Sequence, residues 1–342
     1  MRHLVSWLQR RWLWLVIIIG FGALVITQFN NIKRLSTTLV QGQPQWLAAA
    51  VLLQILFYLV YSVQYKLGFE TVGVESKVSE LLPVLFASIF LKAVVPSGGI
   101  SALAVFIDDA ARRGQSPARA AEGALLVLVA DLATMVPLII YGLAYLAAQR
   151  ILQGYQAIAS ALYILFISAL TGFLLLGRYQ PHRLRQIFEW AQDRINWLAS
   201  LVKRPPLLRP DWAIGQAAEY CGAACDIADH PRPLIRTLGI AFGAHLINLT
   251  SLFAVSLAYL HPLTLGELLA AFSMDIVFSV INIIPHGLGV AEGVMALVLI
   301  SLGVAATDAV TITIIFRGLN VWLPLLIGFF FLRRVRSLGG GA

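Results

Sequence analysis

Long apolar runs separated by short polar connections dominate the chain. A helix needs about 20 consecutive apolar residues to cross a bilayer. Six runs approach that length, and they lie at residues 12–29, 45–65, 120–148, 155–177, 234–260 and 308–332. The pattern therefore predicts six full transmembrane helices.

Two further apolar stretches, 80–107 and 264–303, are each interrupted near the centre. Residues 96–99 (PSGG) break the first stretch, and residues 285–289 (PHGLG) break the second. Irregular backbone at membrane depth is tolerated only where protein or a water-filled cavity surrounds it, because hydrocarbon cannot bond the free amides. Each stretch is therefore predicted to be a re-entrant helical hairpin that borders an internal site.

The composition agrees with this pattern. Hydrophobic residues make up 59% of the 342 residues and charged residues 12%, compared with about 25% charged residues in soluble proteins. The mean hydropathy is +0.82. The predicted fold class is an all-α polytopic membrane protein with about six transmembrane helices plus two re-entrant helical hairpins.

The basic residues sort to one side of the membrane if the N-terminus is cytoplasmic and both hairpins are re-entrant. Of the 25 basic residues, all then lie on the cytoplasmic side except Lys33, Arg34 and Arg150 outside, and Lys92 and Arg317 at membrane depth. Cytoplasmic loops are typically rich in lysine and arginine. The net charge of +8 is thus explained by topology and anionic headgroups, and we expect no nucleic-acid partner.

Positions around the two breaks repeat at a constant spacing. Pro96, Gly98, Ala102, Val105, Gly114 and Ala120 recur 189 residues later as Pro285, Gly287, Ala291, Val294, Gly303 and Ala309. With a gap of two residues, the ELL of 80–82 falls on the ELL of 267–269. The charge distribution indicates that the first copy enters the membrane from the cytoplasmic side and the second copy from the outside. This predicts an inverted repeat of hairpin plus helix, an arrangement typical of transporters.

The whole chain, 1–342, is predicted to be a single transmembrane domain. Its parts are two N-terminal spans (1–77), a first repeat of hairpin plus span (78–148), a span (149–177), a cytoplasmic amphipathic linker (178–233), a span (234–263) and a second repeat (264–336). The linker carries apolar residues at helical spacing beside arginines, which is typical of a helix lying in the membrane interface. Prolines near residue 205 divide it into two helices.

The segment 285–292 (PHGLGVAE), followed by Gly303, Ala309, Arg317 and Gly328, resembles the second hairpin and final helix of a known family. That family is the transmembrane flippase domain of lysylphosphatidylglycerol synthases, together with the free-standing membrane proteins built on this domain alone. The resemblance extends over almost the whole chain. It differs at His286, where many relatives have glycine.

The resemblance implies movement or handling of lipids across a prokaryotic cytoplasmic membrane, with both chain termini in the cytoplasm. The lipids it implies are phospholipids or, for some relatives, glycosylated or isoprenoid lipids. The full synthases continue into a soluble aminoacyl-transferring domain, whereas this sequence ends at Ala342. We therefore expect no lysine transfer to lipid.

Arg317 lies within the last predicted span, where a charged side chain is costly and is nearly always paired or functional. Its planar guanidinium matches phosphate through two parallel hydrogen bonds. Thr313, Arg317, Asn320 and Pro324 lie on one helical stripe, which we expect to face the protein interior. We expect Arg317 to contact a lipid headgroup. A structural salt bridge to acidic residues of the second hairpin is the alternative, and the two roles are compatible if the pair opens during transport.

The broken helices supply further candidates. Half-helices beginning at Gly98 and Gly287 would present their free first-turn amides to a phosphate. Glu292, in the first turn of the second half-helix, would compete with an anionic ligand, and a proton-coupled or gating role would resolve that conflict. Asp275 lies on the entering half of the same hairpin. Glu292 and Asp275 are also the carboxylates that a salt bridge to Arg317 would use.

Three more polar residues lie inside predicted membrane segments. Asp131 fits either proton coupling or an interhelical hydrogen bond, His245 lies on a polar face of its span, and Lys92 has a stem long enough to reach a cavity or an interface. The candidate lipid-binding and transport residues are Lys92, Pro96, Gly98, Gly99, Asp131, His245, Asp275, Pro285, Gly287, Gly289, Glu292, Arg317 and Asn320.

The sequence contains no nucleotide-binding motif and no nucleophile elbow, so we predict no catalytic residues and no cofactor. Cys221 and Cys225 with His230 fall short of a zinc site, and no metal is predicted. The predicted function is a translocase for an anionic, phosphate-bearing lipid, bound in a midplane cavity between the two broken helices. The alternatives are a membrane-embedded lipid-modifying enzyme or an accessory subunit of such an enzyme. A second copy of the chain or a separate lipid-modifying enzyme would be the protein partner.

Overall fold

The structure is a computed structural model, and it describes residues 42–94, 100–201, 206, 208–229, 231–281 and 287–332. Over these residues the chain forms α-helices joined by turns, without a β-strand. The helices are α1 Pro44–Thr71, α2 Val78–Val94, α3 Ile100–Arg112, α4 Pro117–Ala148, α5 Gly154–Tyr179, α6 Pro181–Leu201, α7 Trp212–Asp229, α8 Pro231–Ala258, α9 Leu265–Ile281, α10 Val290–Ser301, α11 Ala306–Arg317 and α12 Leu323–Leu332.

Five helical segments in the described part of the chain are long and apolar enough to cross a membrane. They are α1, α4, α5, α8 and the continuous segment Ala306–Phe331, in which a π-helical turn joins α11 to α12. They coincide with five of the six predicted spans, and the remaining one, 12–29, lies outside the described residues. The predicted fold class, an all-α polytopic membrane protein, is confirmed.

Each predicted break is flanked by two shorter helices that pack against each other, α2 with α3 and α9 with α10. The break residues 95–99 and 282–286 lie outside the described residues. The second hairpin turns later than the sequence suggested, because α10 begins at Val290 instead of Gly287. Gly287 and Gly289 instead form the turn before it, with φ of +62° and +86°, a conformation that favours glycine.

The two hairpins end in the same way. Gly114 and Gly303 follow α3 and α10 with φ of +76° and +96°. The amide after each glycine donates to a carbonyl five residues earlier, from Gln115 to Ala110 and from Val304 to Leu299, both at 3.0 Å. This is the Schellman arrangement, which satisfies the last carbonyls of a helix and reverses the chain.

The entering half of each hairpin packs against the helix that follows the other hairpin, so that α2 lies on α12 and α9 lies on α4. Small residues allow the close approach. A Cβ atom on Gly328 of α12 would collide with the carbonyl oxygen of Phe86 on α2, and one on Gly142 of α4 would collide with the hydroxyl of Ser273 on α9. Glycine at these positions therefore fixes both interfaces.

Helices α6 and α7 occupy the segment predicted to be an amphipathic linker. Gln192 of α6 accepts a hydrogen bond from the Ala213 amide at 3.0 Å and so caps the start of α7. The apolar side chains of Ile187, Trp190 and Leu198 on α6 remain exposed. An amphipathic helix with such an exposed face fits the boundary between lipid headgroups and acyl chains.

The glycine contact between α2 and α12 generates a stability prediction. Gly328→Ala forces a methyl group against the Phe86 carbonyl, so we expect a loss of about 1–3 kcal/mol in the free energy of unfolding. Gly243→Ala in α8 is the matched control, because a Cβ there meets no atom within 4 Å. The thermal midpoint in mild detergent should fall for the first variant and not for the second. Equal midpoints would contradict close packing of α12 on α2.

Candidate functional site

Arg317, the last residue of α11, is held by side chains from both halves of the second hairpin. Its Nε donates to Glu292 Oε1 at 3.0 Å, and its Nη1 donates to Ser279 Oγ at 3.0 Å. Nη1 also lies 3.1 Å from Asp275 Oδ1. The Arg317 and Asp275 side chains are 2% and 1% exposed, and Glu292 is 13% exposed. We call these four residues the Arg317 cluster.

Glu292 connects the guanidinium to the start of α10. While one carboxylate oxygen accepts from Arg317, the other accepts from the Gly289 amide at 2.6 Å. This is the backbone half of a capping box, in which the third residue of a helix bonds back to its N-cap. The positive end of the α10 dipole is therefore already occupied by a carboxylate of the protein.

Gly287 allows the turn to approach α9 closely. A Cβ atom there would lie 2.7 Å from the Phe278 carbonyl oxygen and 2.9 Å from Ser279 Cα, which is closer than real side chains permit. The turn thus packs against α9 beside the residue that contacts Arg317. The neighbouring candidate Pro285 lies outside the described residues, as do Pro96, Gly98 and Gly99 of the first break.

The polar stripe predicted on the last span is only partly maintained. Thr313, Arg317 and Pro324 are buried as expected. A π-helical turn over Gly318–Trp322, however, adds a residue to the helical repeat directly after Arg317. Asn320 consequently lies against α1, where its side-chain oxygen accepts from Gln54 at 3.4 Å and its carbonyl accepts from the Tyr58 hydroxyl at 2.9 Å. The prediction placed Asn320 beside Arg317 because it assumed an uninterrupted α-helix.

Asp131 and His245 meet at a different place. The His245 Nε2 atom lies 3.0 Å from the Asp131 carbonyl oxygen and 3.4 Å from Asp131 Oδ1. The Tyr61 hydroxyl interacts with the Asp131 carboxylate, and the Lys92 ammonium acts on it electrostatically. We call these four residues the Asp131 cluster. The sequence identified three of them but did not pair them.

The two clusters differ in the ionisable groups that they bring together. The Arg317 cluster sets one guanidinium against two carboxylates, whereas the Asp131 cluster sets one carboxylate against an ammonium and an imidazole. Neither oxygen of Asp275 has a hydrogen-bond partner among the described residues, and the same holds for Thr313 Oγ1. The Arg317–Asp275 contact is therefore an ion pair with spare capacity to accept hydrogen bonds.

Sequence reasoning missed the contribution of α1. Gln54, Tyr58 and Tyr61 lie at positions i, i+4 and i+7 of that helix and reach Asn320 and Asp131. The helical spacing of these polar residues was a usable signal. It was overlooked because tyrosines also occur commonly where helices meet the membrane interface.

Other titratable groups do not assemble into a metal site in the described part of the chain. Cys221 and Cys225 are free and half-buried on α7. Burial, together with the neighbouring Cys225, raises the pKa of the Cys221 thiol, so that thiol stays protonated and is a poor metal ligand at neutral pH. His230 lies outside the described residues.

The helices and the buried ionic clusters define the class of the protein, a multi-pass α-helical membrane protein. The chain belongs to the family described as lysylphosphatidylglycerol synthase TM region, whose profile matches residues 11–328. It is also similar to the UPF0104 membrane protein PH1989 of Pyrococcus horikoshii. The two are 21% identical over 346 residues, which cover 95% of this chain and 98% of that protein. The family resemblance expected from the sequence is confirmed.

The charge balance of the Arg317 cluster can be tested through stability. Arg317→Ala leaves two carboxylates without their cation in a buried site, and we expect it to lower the free energy of unfolding by about 3–5 kcal/mol. In the double variant Arg317→Ala/Asp275→Asn one of those charges is removed, so its thermal midpoint should lie closer to that of the wild type. A double variant no more stable than the single one would contradict this account.

Proposed function

We propose that the chain is a lipid translocase that moves a phosphate-bearing lipid across the membrane. The observation that carries the proposal is the burial of Arg317 at the turn of a broken helix, between Asp275, Ser279 and Glu292. An arginine inside a membrane protein is costly and marks a functional site by default. Membership of a family described as a synthase TM region supports a lipid-related role.

The bonding of Arg317 suits reversible binding of a phosphate. Its guanidinium offers five N–H donors in a planar fork, and a phosphate can take two of them in parallel. Asp275 is held by charge without hydrogen-bond geometry, so it is the partner that an incoming phosphate displaces most easily. The two carboxylates neutralise the guanidinium between transport events, which avoids an uncompensated buried cation.

Features that recur in both hairpin units support an inverted repeat, which is part of this transport proposal. Helices α4 and α11 begin 189 positions apart, at Pro117 and Ala306, and the Schellman turns before them share that spacing. Glu80 and Glu267 each accept from an amide three residues earlier, Lys77 and Thr264, at 3.2 Å and 2.7 Å. In transporters such repeats with broken helices place the substrate site near the midplane.

The charge distribution supports the orientation in the membrane. We place the protein in the cell membrane with both termini and the α6–α7 linker in the cytoplasm, because that arrangement gathers nearly all basic residues on one side. The exposed apolar face of α6 would then lie in the inner leaflet interface. Asp275 and Glu292 both pair with Arg317, which favours a binding role for these carboxylates over acid–base catalysis by an embedded enzyme.

Lipid retention tests the headgroup contact. We expect the purified wild type to carry an anionic phospholipid enriched over the bulk membrane, and the Arg317→Ala/Asp275→Asn variant to lose it, because the phosphate loses its bidentate donor. Mass spectrometry of co-purifying lipids makes the comparison. Arg113→Ala is the matched control, since Arg113 also pairs with two carboxylates, Glu80 and Asp109, but is partly exposed. Unselective lipid profiles in wild type and variants would contradict the proposal.

Lipid movement tests the function itself. In proteoliposomes with a fluorescent phosphatidylglycerol, the wild type should speed the exchange between leaflets, measured by dithionite quenching. We expect Glu292→Gln and Arg317→Ala/Asp275→Asn to slow it about tenfold or more, because each removes a charge-assisted contact of about 1.5–3 kcal/mol. Arg113→Ala should leave the rate unchanged. Normal rates in both cluster variants, at wild-type insertion, would refute the site.

A further inference from the structure

The Asp131 cluster brings four helices together at membrane depth. Asp131 comes from α4, Tyr61 from α1, Lys92 from α2 and His245 from α8. Lys92 lies two residues before Val94, the last residue of α2, next to the first break. The cluster therefore includes one residue of the first hairpin, beside residues from three neighbouring helices.

This cluster is more open than the Arg317 cluster. The Asp131 side chain is 22% exposed and that of His245 is 6% exposed, whereas Arg317 and Asp275 are almost completely covered. A charged group at membrane depth faces the protein interior or a water-filled cavity instead of hydrocarbon. The exposed side of Asp131 therefore opens on a space that a polar ligand can enter.

The donors around that space suit an anion. Lys92 supplies an ammonium with three N–H donors, Tyr61 a hydroxyl, and His245 an imidazole N–H. Asp131 is the group that competes with an anionic ligand for these donors. When Asp131 takes up a proton, the competition ends and the cluster gains positive charge. Proton uptake and anion binding at this cluster consequently favour each other.

The second copy of the repeat carries an uncharged equivalent. At the spacing of 189, Asp131 corresponds to Asn320, whose side chain makes a neutral contact with Gln54. An amide has the shape of a protonated carboxyl group but does not titrate. Asp131 can therefore take up a proton where its counterpart in the second repeat cannot.

Several other ionisable side chains interact with Asp131 or lie on helices that pack against α4. The side chains that interact electrostatically with Asp131 are those of Tyr61, Tyr65, Lys92, Tyr163 and His245. The helices α3, α7 and α9 also pack against α4. Each of these helices carries an ionisable side chain with a partner of its own. Asp109 of α3 pairs with Arg113, and Asp275 of α9 pairs with Arg317. Tyr220 of α7 interacts electrostatically with Glu122.

We propose that the Asp131 cluster is a second phosphate-binding subsite, at which a lipid phosphate contacts Lys92 and its binding is linked to the uptake of one proton by Asp131. This inference rests on the proposed function and adds that lipid binding is coupled to proton uptake. Lipid binding at this subsite weakens as the pH rises, since deprotonated Asp131 holds Lys92 and His245 for itself.

Binding of a fluorescent phosphatidylglycerol to the full-length protein in detergent micelles tests the linkage. Wild-type affinity should fall by up to about tenfold for each pH unit between roughly pH 6 and 8, because one proton is released with the lipid. The Asp131→Asn variant should bind equally well at both pH values, and Lys92→Gln should bind weakly at both. Asp109→Asn is the matched control, because Asp109 is exposed to the same extent as Asp131 but pairs with Arg113 outside the cluster, and it should retain the wild-type pH dependence.

Each outcome has a distinct meaning. A wild-type pH dependence that persists in Asp131→Asn would overturn the inference and leave the proposed function intact. Absence of phosphatidylglycerol binding by the wild type at either pH would instead overturn the proposed function. A diacylglycerol with the same fluorescent chain should not bind, which confirms that the phosphate is recognised. Displacement of the lipid by millimolar inorganic phosphate alone would assign the subsite to free phosphate, against our proposal. Cooperative melting of every variant establishes that each one is folded.

Discussion

The ion-pair network around Arg317 constrains the positions of the three helices that contribute to it, α9, α10 and α11. Moving a guanidinium out of water costs several kcal/mol even after relaxation, so its partners must be held in place by the backbone. Asp275 and Ser279 come from α9 and Glu292 from α10, and all three contact Arg317 at the end of α11. A straight membrane helix could not present residues 275 and 292 to one group, because 17 residues of α-helix span about 25 Å. The break in the second hairpin is the geometric requirement of this contact.

The sequence predicted features that depend on local chemistry. Span positions follow from the length of apolar runs, and the hairpins follow from proline and glycine in those runs. The place of Glu292 beside a helix N-terminus and Arg317 also follows from spacing. The π-helical turn after Arg317 was not predictable, because it depends on tertiary contacts such as the Tyr58 hydroxyl on the Asn320 carbonyl. The pairing of Asp131 with His245 joins residues 114 positions apart, and helical periodicity contains no information on such distances.

The two buried clusters complement each other chemically. One sets a single guanidinium against two carboxylates, and the other sets a single carboxylate beside an ammonium and an imidazole. If Arg317 were the single anion-binding site, each phosphate that bound there would have to displace a carboxylate of the protein. A second site with this different set of groups lowers that demand, because the headgroup can interact with Lys92 and His245 without first separating Arg317 from Glu292.

The packing of the repeats provides a physical connection between the clusters. Arg317 continues through the π-helical turn into α12, and α12 lies against α2 at the contact of Gly328 with Phe86. Phe86 and Lys92 share α2, so the basic residues of the two clusters are joined by one continuous helical segment and one tightly packed interface. Close-packed interfaces transmit displacements because they contain no free volume to absorb them. Because α9 packs on α4 in the same reciprocal way, Asp275 and Asp131 are connected through a second interface. A movement that opens one cluster must therefore shift the helices that form the other.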